Sequence, residues 1–100
     1  MTNGDYWRNR AEQAGIAPRT LADVKASIEQ ARKSGSDGEF AALMLKHGRL
    51  TDDAREYVLL ARIEALQAVQ RTNPPSSAAW QNASKELAPL FAEMARRSKR

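Results

Sequence analysis

The stretch from Thr51 to Thr72 contains neither proline nor glycine, and its apolar side chains fall on two helical stripes rather than one. Ala54, Val58, Ala61, Ala65 and Ala68 make the first stripe, and Leu59, Ile63 and Leu66 make the second. A helix patterned in this way offers apolar surface over a wide arc, so it is either the central member of a bundle or the carrier of an interface. Thr51 supplies its cap, and Asp52 and Asp53 place carboxylates at the positive end of the helix dipole. Asn73-Pro74-Pro75 ends it, because the residue before a proline avoids the α region and neither proline can donate to the turn behind it.

The segments on either side also read as helices. Thr2 to Asp5 offer cap oxygens and Gly15 a stop, which predicts a short helix over about residues 4 to 14, with Tyr6, Trp7, Arg10, Ala11 and Ala14 on its inner side. Thr20 with Asp23 three residues on forms a capping box for a second helix, in which Leu21, Val24, Ile28 and Ala31 share one face. Ser36 and Glu39 read as another capping box, starting a short third helix through Phe40, Leu43, Met44 and Leu45 that His47-Gly48 ends. After the two prolines, Ser76 or Ser77 restarts the chain as a fifth helix. Trp80, Ala83, Leu87, Leu90, Phe91 and Met94 keep helical spacing straight across Pro89, which predicts one kinked helix, with a break into two pieces as the competitor.

No segment alternates apolar and polar residues over strand length, so the class is all-α. The expectation is a single domain over residues 1–100, a compact bundle of about five helices with a long central fourth helix and residues 96–100 as a frayed basic tail. The core is expected to contain Leu21, Val24, Ile28, Leu43, Val58, Leu66, Trp80, Leu87 and Phe91, each on the apolar side of its helix. The chain has no cysteine, which removes disulfides and thiolate chemistry together and suits the cytoplasm. No run reaches the roughly 18 apolar residues that a membrane span needs.

Charge narrows the functional classes. The formal net charge is +4, and four cations close the chain: Arg96, Arg97, Lys99 and Arg100. Up to residue 95 the charges balance, so attraction for polyanions concentrates at one end. Glu93 lies three and four residues before Arg96 and Arg97 and offsets part of that cluster. Tyr6-Trp7-Arg8-Asn9-Arg10 interleaves aromatic and basic groups, as nucleic-acid contacts do, although a docking helix needs the same residues. Trp7 and Trp80 are read as core anchors, with Tyr6 and Arg8 as exposed contacts.

Catalytic groups are scarce. The one histidine, His47, sits at a helix C-terminus where its ring suits the dipole, and no nucleophile motif, phosphate loop or spaced ligand set accompanies it. Asp52 and Asp53 are adjacent, diverge by about 100° around the helix, and are explained by the dipole. The order helix, turn with Gly48, helix over Phe40 to Leu60 suggests a helix-turn-helix, but its second helix would meet phosphates with those two carboxylates, so a plain helical hairpin is the better account. The expectation is therefore a non-enzymatic protein with no cofactor and no metal, acting by contact with a protein or nucleoprotein complex as an adaptor, assembly factor or phage- or plasmid-type inhibitor. Its candidate contact residues are Tyr6, Arg8, Arg10, Arg49, Arg55, Arg62, Arg96, Arg97, Lys99 and Arg100. One alternative is a nucleic-acid accessory protein using the tail with Arg8 and Arg10; another is a homodimer joined through the alanine stripe of the long helix.

Overall fold

The structure, a computed structural model, describes residues 17–98. Its helices are α1 (Leu21–Lys33), α2 (Asp37–His47), α3 (Asp52–Thr72) and α4 (Ala78–Ser98), so the chain is all-α. The helix expected over residues 4 to 14 lies outside the described residues. α4 is one continuous helix with Pro89 inside it, and it carries Arg96 and Arg97 in its last turn where a frayed tail was expected.

Each helix end is settled by local hydrogen bonds. At α1 the capping box forms as expected: the Thr20 hydroxyl accepts the Asp23 N–H at 3.3 Å and the Asp23 carboxylate accepts the Thr20 N–H at 3.4 Å. The same helix closes with Gly35 at φ +74°, the left-handed conformation that only glycine enters cheaply. That turn sends the Gly35 N–H to Arg32 O and the Ser36 N–H to Ala31 O, the paired bonds of a Schellman ending. The capping box expected at Ser36 does not form. Its hydroxyl turns back to Ala31 O, so the end of α1 has taken the group that the start of α2 needed. At α3, Thr51 stands in the cap position, but its hydroxyl donates to Asp53 at 2.6 Å, and that carboxylate accepts the Ala54 N–H. Ser77 serves α4 by accepting the Trp80 N–H.

The two stripes of α3 meet different neighbours. Ala54, Val58 and Ala61 join Val24 and Ile28 of α1 and Ala41 and Met44 of α2 in one buried cluster. Ile63 and Leu66 join Ala83 and Leu87 of α4 in a second. α4 packs on α3 and on no other described helix. A short parallel bridge ties the ends of the first layer together: the Arg19 N–H donates to Arg49 O at 2.8 Å and the Thr51 N–H to Arg19 O at 3.0 Å. Where α2 crosses α3 the backbones are close, since a Cβ on Gly38 would stand 2.8 Å from the Ala65 Cβ.

Of the expected core, Val24, Ile28, Val58, Leu66 and Leu87 are buried, whereas Leu21 and Trp80 are half-buried. Leu43 and Phe91 are corrections, at 59% and 46% exposed. The close approach at Gly38 and Ala41 sets the phase of α2, so that Phe40, Ala41, Met44 and Leu45 turn inward and Leu43 turns out. In α4 the inward line is Ala83, Leu87, Leu90 and Met94, which leaves Phe91 on its flank.

Replacing Ile28 or Leu59, both fully buried, by Ala is expected to lower the unfolding free energy by about 2–5 kcal/mol. Leu43→Ala should stay within about 0.5 kcal/mol of the parent. Urea unfolding of the three variants makes the comparison, and a Leu43→Ala loss as large as the others would contradict this phase of α2.

Candidate interaction surface

Between its two stripes α3 carries Arg55 and Arg62, and both reach α4. Arg55 forms a two-pronged bond to Glu93, with Nε to Oε2 at 2.7 Å and Nη2 to Oε1 at 3.0 Å. Arg62 grips Glu86 in the same manner through Nε and Nη2, and its Nη1 donates to Gly38 O at 3.1 Å, so one guanidinium joins α2, α3 and α4. The two arginines are seven residues apart on α3 and their acids seven apart on α4 in the opposite direction, as an antiparallel pair with coiled-coil-like spacing requires. Arg97 finishes this seam. Its Nη1 donates to Asp52 Oδ1 at 2.9 Å, it lies 3.3 Å from Glu93, and its side chain is only 11% exposed.

Hydrogen bonding to Arg62 holds the Glu86 carboxyl below the ordinary carboxylate range. Glu93 is lowered likewise, first by its bonds to Arg55 and further by Arg97, and the same Arg55 bond raises the arginine. In each carboxyl partial burial opposes the shift and loses to the charged partner.

The sequence-derived contact residues therefore separate into groups. Arg55, Arg62 and Arg97 have their donors engaged inside the fold. Arg49 lies with Arg55 and Lys46 around a recess of about 400 Å³, whose floor includes Leu45 and Leu50. Arg96 is exposed. Tyr6, Arg8, Arg10, Lys99 and Arg100 lie outside the described residues. Three of the four alanines in the stripe offered for a homodimer are packed within the molecule: Ala54 and Ala61 are buried against α1 and α2, and Ala65 faces Gly38.

Sequence reasoning missed the exposed large apolar side chains. Leu60 is 44% exposed, and with Leu43 and Phe91 it completes the set of large hydrophobic side chains exposed among the described residues. A signal existed for Leu60, which follows Leu59 directly and so falls outside both stripes of α3. At the N-terminus of α3, considered above as a recognition helix, the exposed Asp52 accepts a hydrogen bond from Arg97, and the exposed Asp53 carboxylate accepts from the Thr51 hydroxyl and the Ala54 N–H. His47 ends α2, with a buried Nδ1 that has no hydrogen-bond partner among the described residues. Among the described residues no three His, Cys, Asp or Glu side chains gather as a metal site, and no helix is long and apolar enough to cross a membrane.

No protein-family model, curated protein or solved structure matches the chain.

Because Glu86 and Glu93 titrate below their unfolded values, the stability they contribute is fully present above the ordinary carboxylate value of about 4.3 and is lost as pH falls through the lowered folded values. The double variant Glu86→Gln/Glu93→Gln should be less stable than the parent near neutrality by on the order of 1 kcal/mol, since both pairs are partly solvated. The gap should close on acidification. Urea midpoints at neutral pH and at about pH 3 measure this, and a gap that persists unchanged in acid contradicts the role given to the two carboxylates.

Proposed function

We propose that the chain is a non-enzymatic helical binding protein whose output is protein–protein contact, as in an adaptor, an assembly factor or an inhibitor that occludes a larger complex. One observation carries this reading. Three cations of the kind that attract a polyanion, Arg55, Arg62 and Arg97, are bonded to carboxylates within the fold, while Leu43, Leu60 and Phe91 stand exposed. Exposed apolar groups with polar surroundings suit a protein interface, and such an interface needs no cofactor. The cytoplasm, suggested by the absence of cysteine, belongs to the same proposal.

The test compares salt dependence. A variant lacking Lys99 and Arg100 removes two of the four terminal cations and leaves Arg96 and Arg97 in place. Binding to generic DNA and RNA is expected to be weak and to fall steeply with salt, whereas binding of the protein partner should survive both salt and these changes. His47→Ala should leave biological activity intact. Tight nucleic-acid binding at physiological salt that disappears in the variant would reverse the proposal, as would loss of activity in a folded His47→Ala protein.

A further inference from the structure

The two long sides of α4 are used differently. Its inward side places Ala83, Leu87, Leu90 and Met94 on α3. The two carboxylates of the helix, Glu86 and Glu93, both turn to the arginines of α3, and Arg97 is drawn to the same seam. The outward side is left with Ala88, Phe91, Ala92 and Ala95, all exposed, and with the exposed cations Lys85 and Arg96. Neither cation has an ion-pair partner among the described residues. Eleven residues separate them, about three helical turns or 16 Å, so they stand one above the other along one edge of the apolar strip. No carboxylate of α4 shares that side.

We propose that the outward face of α4 docks an acidic amphipathic helix of a partner protein, its apolar stripe seated on Ala88, Phe91, Ala92 and Ala95 and its carboxylates meeting Lys85 and Arg96. This rests on the protein-contact reading and specifies the chemistry of the partner. Alanines let a second helix approach closely, and Phe91 is the single large group available to fill a hole in it. The charge pattern selects the occupant. An antiparallel second copy of α4 would bring Lys85 against Arg96, a like-charge contact, and two cations beside an apolar strip give a nucleic acid few phosphate contacts. A helix with Asp or Glu along one edge meets both cations and covers the strip.

Photocross-linking tests the assignment. Benzoylphenylalanine is placed at position 91 and, in separate proteins, at 43 and at 60; after irradiation in the native host, the joined segments are sequenced by mass spectrometry. The segment joined at 91 should combine an apolar helical stripe with flanking Asp or Glu. In the Lys85→Glu/Arg96→Glu background its yield should fall by about fivefold or more, with an unchanged melting curve, and Lys85→Gln/Arg96→Gln should fall between. Joining of a second copy, of nucleic acid or of a segment without acidic flanks at 91 would overturn the assignment, and so would a yield indifferent to charge reversal. Protein cross-links at 43 or 60 with none at 91 would overturn this face alone. An absence of protein cross-links at all three positions would remove the protein-contact reading as well.

Discussion

Everything in this fold depends on α3 burying two sides at once. A helix between two layers must keep its turns in register with both, and hydrophobic packing by itself tolerates small slips because it is not directional. Arg55 and Arg62 supply the direction. They stand between the two apolar stripes, and each makes a planar, two-pronged bond that a shift of one residue along α4 would break. Arg62 reaches α2 as well, so the crossing of α2 over α3 and the pairing of α3 with α4 share one guanidinium. Ion pairs of this kind add little net stability, and their value here is in selecting one alignment over its neighbours.

That selection shapes the outer surface. Drawing both carboxylates of α4 to one side leaves its opposite side with cations and small apolar groups, an asymmetry that net charge does not reveal. The overall excess of +4 suggests a general attraction for polyanions, yet the arginines nearest the middle of the molecule are neutralised by acids 24 and 38 residues away in the chain. The surface is then locally patterned, and local patterning discriminates among protein partners better than a diffuse field does.

What could be read in advance follows the range of the interactions. The capping box at Thr20, the limits of α3 and the double stripe on it depend on residues within a few positions of one another, and all were legible. Ser36 and Thr51 have the composition of caps but are claimed by Ala31 O and by Asp53, so rival local bonds decided their roles. Leu43 and Phe91 were misplaced because helical periodicity gives a face and not its rotation. In α2 the rotation comes from the approach of Gly38 to Ala65, and in α4 the arginine bonds draw Glu86 and Glu93 inward on the flank opposite Phe91. Arg55, Arg62 and Arg97 looked like surface cations because their acids lie far away in sequence. Leu60 lies outside both stripes of α3, and that much is visible in the sequence.

The parallel bridge between Arg19 and Leu50 has a bearing on motion. It closes α1 and α2 into a loop whose hydrogen-bonded ends lie just before α1 and α3, whereas among the described residues α4 is attached through one helix and a smaller buried cluster. Among the described residues the molecule thus has a protected unit and a detachable one, and the opening this arrangement favours is the lifting of α4 from α3. A partner that holds α4 in its helical, docked form would slow amide exchange in α4 and around Leu66 long before it altered exchange in α1 or α2.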